Sequence, residues 1–168
     1  MANQAFIDGQ NLQLGTTKAR PSWKVDLHRF RVYLREKYNV EEAYYFLGAV
    51  NDEYHELYER IQKAGFILTF REHHQSMIGM KKGNVDTDIV FMVMRKIAER
   101  EKFDKVILVS GDGDYIKMVK YLVEKGRLEK VLAPNHKSIS SLYKKLINNT
   151  FYTFLDNKST KSKIQYKK

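Results

Sequence analysis

The chain contains no cysteine. Disulfides, zinc–thiolate sites and cysteine nucleophiles are thereby excluded, and a reducing, cytoplasmic setting is expected. Prolines number two and glycines nine in 168 residues. No repeat is visible, nor any linker that would divide the chain. No apolar run approaches membrane-spanning length and the N-terminus carries no signal-peptide core, so no membrane partner is expected. The five histidines show no metal-ligand spacing, and the adjacent pair His73 and His74 is poorly placed to share one ion. Acids are in deficit, 20 against 30 lysines and arginines.

What is present suits one globular domain. Hydrophobic residues make up 43% of the chain, enough for a single core. The net charge is +10 and the isoelectric point is near 9.6. By charge alone a polyanionic partner follows, nucleic acid first and an anionic membrane second; with no membrane segment, nucleic acid is the partner expected. Five lysines and no acid fall in residues 157–168, which leaves +5 for the rest. The expected organisation is therefore a domain over residues 1–155 and a basic, disordered tail over 156–168. Monomer and homodimer are equally compatible with the sequence.

Hydrophobic periodicity alternates strand and helix. Strands are expected at residues 5–8, 42–50, 66–70, 105–110 and 128–133, with a short last one at 150–155. Helices are expected at 25–37, from 51 or 52 to 64, and at 85–100, 115–125 and 138–146. Residues 9–24 read as a polar loop. This order predicts an α/β fold, a three-layer α/β/α sandwich around a mainly parallel sheet of five to six strands. The connection at 71–84 is long for such a fold and is expected to line a substrate groove.

The chemistry gathers after two apolar strands. Asp8 ends the first, in Phe6-Ile7-Asp8-Gly9-Gln10-Asn11. Asp112 and Asp114 follow another, in Val109-Ser110-Gly111-Asp112-Gly113-Asp114-Tyr115. Strand carboxyl ends are where open α/β sheets bind ligands. The two glycines allow a tight turn that converges both aspartates on one cation. As plain structure, the same segment is a helix start with Asp114 as N-cap and Asp112 as turn former. A third acid comes from Lys81-Lys82-Gly83-Asn84-Val85-Asp86-Thr87-Asp88, with Asn84 as the expected N-cap. Residues two apart on a helix lie about 200° apart. Ile89, Val90, Val93, Met94 and Ile97 put the core on the side of Asp86, so Asp86 is the candidate ligand. Asp88 points away, near Arg95, as a dipole-favouring surface acid. Asp8, Asp86, Asp112 and Asp114 together suit Mg²⁺ or Mn²⁺. Lys82 and Arg71 are candidates for gripping phosphates. Tyr115, Met118 and Leu122 read as helix core.

These three motifs, in this order, resemble the NYN domain family of PIN-like nucleases. The resemblance covers roughly residues 4 to 155. It implies a PIN-like sandwich, a Mg²⁺- or Mn²⁺-dependent phosphodiesterase centre on Asp8, Asp86, Asp112 and Asp114, and RNA as substrate. Asn11 and Ser110 become supporting polar groups, and products carry a 5′-phosphate and a 3′-hydroxyl. The chain departs from the family pattern at Met92 and Asn149, where acids are common. The expected function is a metal-dependent endoribonuclease. The alternatives are an RNA-binding regulatory module on the same fold and a small-molecule phosphohydrolase.

Overall fold

A computed structural model describes residues 1–71 and 85–167. Six strands form one sheet: β1 (Asn3–Asp8), β2 (Val40–Leu47), β3 (Ile67–Phe70), β4 (Val106–Val109), β5 (Leu128–Ala133) and β6 (Tyr152–Phe154). Their order is β3-β2-β1-β4-β5-β6, and every neighbouring pair is parallel. The described helices are α1 (Gly9–Thr17), α2 (Leu27–Tyr38), α3 (His55–Lys63), α4 (Asp86–Ala98), α5 (Ile116–Glu124), α6 (Ser141–Leu146) and α7 (Lys158–Ile164). None of them is long and apolar enough to cross a membrane.

Side-chain alternation along the strands sorts the core into two layers. Ala5 and Ile7 of β1, Ala43 and Tyr45 of β2, and Ile107 and Val109 of β4 face Phe30 and Leu34 of α2 and Ile61 of α3. Phe6, Phe46, Leu108 and Val131 face the other way, onto Ile89 and Val93 of α4, Met118 and Leu122 of α5, and Tyr143 of α6. The expected three-layer sandwich is therefore observed. β1 is buried along its whole length because both of its faces are covered.

Two expectations are corrected. Residues 9–17 are helical instead of loop. Asp8 caps this helix, its carboxylate accepting the Asn11 N–H, and Leu12 and Thr16 bury its inner face. Gly9 and Gly15 within nine residues mask that pattern in the sequence. Residues 156–168 also differ from the disordered tail expected of them. They contain α7, which packs on α2, with Thr160 and Ile164 buried. The folded unit thus extends beyond residue 155.

Gly9 is required by close approach. A Cβ there would lie 2.6 Å from Tyr45 Cε1 and 2.7 Å from the Phe46 carbonyl oxygen. Alanine gains at most about 1 kcal/mol of helix propensity, against about 1–3 kcal/mol for overpacking a dense core. Gly9→Ala is therefore expected to lower the urea midpoint, and an unchanged midpoint would show that the β2 backbone yields.

Candidate active site

The strand order reverses direction at β1. The chain moves outward from β1 to β2 and β3, then returns to β4 on the other side. The crevice outside the carboxyl ends of β1 and β4 is the topological switch point, the place where doubly wound sheets bind ligands. Ile7 pairs with Val109, so Asp8 and Ser110 come next on the two strands. Asp8 shares the face of Phe6, and that face is covered by α4 and α5. Register and alternation together put Asp8 against the loop after β4 and the first turn of α4.

Asp8 is buried, 6% exposed. One carboxylate oxygen accepts the Asn11 N–H at 3.1 Å and the other accepts the Tyr115 hydroxyl at 3.0 Å. Burial pushes the Asp8 carboxyl above its usual range. The two hydrogen bonds oppose that shift, and repulsion from Asp112 and Asp86 adds to it. Asp112 caps the turn Gly113–Tyr115, accepting the Asp114 N–H at 2.9 Å. The cap is therefore Asp112 and not Asp114. Asp114 is fully exposed and is held above its usual range, first by Asp112 and also by Asp86, which lies within hydrogen-bond reach. Asp86 opens α4, where the helix dipole favours a negative charge. The four acids thus form a row from buried Asp8 to exposed Asp114, with Asp112 and Asp86 acting on both ends.

The supporting groups set the backbone. The Asn11 side-chain oxygen accepts the Gly111 N–H at 2.9 Å, tying α1 to the β4 loop. The hydroxyl of Ser110, fully buried, accepts the Asp112 N–H at 3.1 Å. Tyr143 donates its hydroxyl to the Asp112 carbonyl at 2.6 Å. An open depression follows, bordered by Asn11, the 111–114 loop, Ser138, Ser140 and Leu142.

Sequence reasoning missed Tyr115 and Tyr143 as site residues, because both read as core and their rings are fully buried. A ring buried to that depth needs a partner for its hydroxyl, and that requirement was the available signal. It also missed Ser138 and Ser140, although they lie in the connection after β5, at the edge where Asp8 ends β1. Met118 and Leu122 are core, as expected. Arg71 follows β3 at the same edge, its N–H directed to the Leu47 and Gly48 carbonyls at 3.1 and 3.3 Å. Lys81, Lys82, Asn84, His73 and His74 lie outside the described residues. Arg95, the expected neighbour of Asp88, pairs with Glu99 at 3.1 Å. The two departures also have positions. Met92 sits about 9 Å down α4 from Asp86 and packs against the core. Asn149 precedes parallel β6, at the sheet edge opposite the acids.

A hard cation suits this donor set in kind: oxygen ligands only, mutually repelling, one of them buried. In arrangement the set is looser. Among the described residues no three carboxylates or histidines stand where they could hold one ion.

A parallel α/β sandwich with acids at its switch point defines a class of domain with an acidic crevice at the carboxyl edge of its sheet. Within it the chain belongs to the NYN domain family, whose model matches residues 4–154. Among solved structures it is similar to a protein of unknown function from Vibrio parahaemolyticus RIMD 2210633. That likeness has a TM-score of 0.72 and 20% identity, over 98% of this chain and 96% of that one. A more distant likeness is to the bacteriophage T5 D15 flap endonuclease, in a pseudo-enzyme-product complex with DNA and metal ions. There the TM-score is 0.46 and the identity 15%, and 85% of this chain spans 60% of the endonuclease. A comparison with curated proteins gives no match.

Proposed function

We propose that this protein is a Mg²⁺- or Mn²⁺-dependent endoribonuclease acting at the row of four aspartates. The observation that supports the reading is their mutual influence: Asp112, from the loop after β4, and Asp86, from the start of α4, both act on Asp8 at the end of β1 and on Asp114. Such repulsion, with one carboxyl desolvated, is offset when a divalent cation is shared. Asp8, Asp86, Asp112 and Asp114 would hold it only after drawing closer together than they stand without it. When bound, the ion supplies Lewis acidity toward a phosphoryl oxygen and lowers the pKa of water. The protein's own groups do the positioning. Tyr115 and the Asn11 N–H hold Asp8 in one orientation, while Ser110, Asn11 and Tyr143 hold the loop that carries Asp112. The depression is open, which suits a polymer better than an enclosed metabolite. The net charge of +10 favours a phosphate-rich strand. Arg71 and Lys82 are proposed to contact its phosphates.

The loose arrangement of the acids favours a second reading, an RNA-binding module with little turnover. End-labelled single-stranded RNA in Mn²⁺ separates the two. Internal cuts are expected, lost in EDTA and slowed ~100-fold or more in Asp112→Asn. Intact RNA, bound equally well by both proteins, would establish the binding module instead.

A further inference from the structure

Helix α1 divides the carboxyl edge. Asn11 borders the acidic depression, while Leu12, Gln13 and Thr16 line a second cavity on the other side of the helix. This cavity measures about 590 Å³, within the size range of ligand sites. Its floor is apolar, formed by Leu12, Leu57 and Ala64. Its rim carries Lys24, Arg60, Lys63 and His28 against one acid, Asp26. That acid is already engaged, since it caps α2 by accepting the Arg29 N–H at 3.0 Å. Two exposed aromatics stand at the mouth, Tyr54 at 52% and Tyr166 at 51%.

Tyr166 reaches this position because the chain returns after α7. Gln165 forms an antiparallel bridge with Val25, and the Tyr166 N–H donates to the Lys24 carbonyl at 2.8 Å. Lys24 Nζ then lies 5.4 Å from the centre of the Tyr166 ring. The C-terminal segment therefore supplies a wall of the cavity as well as packing on α2.

A purely apolar ligand has no use for the cationic rim, and a bare anion has no use for the floor. A flat, weakly polar ring joined to a phosphate uses both. We propose that the cavity is a subsite for one nucleotide of a single nucleic-acid strand, with the base against the floor and tyrosines and the phosphate at Arg60 and Lys63. The proposal rests on the polynucleotide reading of the neighbouring acidic site and adds to it a grip on the strand. A helix is about 10–12 Å across, so α1 separates subsite and acids by about three nucleotides stacked at ~3.4 Å. Aromatic stacking and backbone charge recognise a strand without reading its sequence.

Binding of a fluorescent ten-nucleotide single-stranded RNA, measured by anisotropy in EDTA, tests this without cleavage. Tyr166→Ala is expected to weaken binding roughly tenfold. The pair Arg60→Glu and Lys63→Glu is expected to weaken it at least as much. The control makes the same charge change at the opposite edge, Lys102→Glu with Lys125→Glu, and is expected to bind more tightly than the subsite pair. Equal losses in both pairs would overturn the proposal, because net charge alone would then account for binding. So would saturation of the cavity by decanoate, followed by amide NMR shifts at Leu12 and Ala64, with the RNA unable to compete. Cleavage in Mn²⁺ is read separately, so loss of the nuclease reading leaves the binding result standing.

Discussion

Asp8→Asn is expected to abolish metal-dependent RNA hydrolysis and, in the same protein, to stabilise the metal-free fold. The loss of rate, ~100-fold or more, follows from removing the charge at the buried end of the acidic row. The gain in stability follows from linkage. The Asp8 carboxyl is raised above its ordinary 3.8 by burial first and by Asp112 and Asp86 after it. A raised carboxyl favours the protonated form in the fold. Its contribution to stability is complete below the ordinary value and is lost as pH rises through the folded value. Asparagine is neutral throughout. It also keeps the capping role toward Asn11 and can pair with the Tyr115 hydroxyl. In EDTA, urea midpoints should favour the variant at pH 7 and converge with those of the unsubstituted protein at pH 3. Adding Mn²⁺ should raise the midpoint of the unsubstituted protein only. A variant less stable at pH 7 in EDTA would show that Asp8 is well accommodated as a free anion, and the cation argument would lose its basis.

Ile164→Ala is expected to cost about 2–4 kcal/mol in urea unfolding, the range for a buried aliphatic cut back to alanine. Ile164 is fully buried in the layer that contains Phe30 and Leu34 of α2. Its carbonyl accepts the Asp26 N–H at 2.8 Å, and Lys161 lies 5.3 Å over the ring of Trp23. A cost below about 0.5 kcal/mol, the level of an ordinary surface substitution, would return this segment to the status of a dispensable tail. The two substitutions are expected to pull in opposite directions, since one removes a desolvated, repelled charge and the other opens a cavity in the helical layer on the other face of the sheet.

Strand–helix alternation and the parallel sheet were legible because buried parallel strands are continuous apolar runs. Val106–Val109 and Ala5 to Ile7 have no other stable place in water. The placing of Asp8, Asp112 and Asp114 toward one edge was legible too, since strand ends of a parallel sheet share it, and helical spacing separates Asp86 from Asp88. α1 was not legible. Its nine residues include two glycines, and its helical state depends on the Asp8 cap and on the space beneath Gly9. α7 was not legible either, because five lysines mask Thr160 and Ile164, and only the groove beside α2 makes their burial favourable.

The sequence by itself determined the α/β order, the acidic edge, the excess of positive charge and the family signature, all of which follow from local pattern and composition. Tertiary structure alone decided that Tyr115 and Tyr143 belong to the site, that Asp112 is the cap, and that the lysine-rich end folds back. The physical reason is the same in each case. A hydroxyl, a cap or a lone isoleucine acquires its role from the partner it is buried against, and those partners lie up to 138 residues away, as Asp26 does from Ile164.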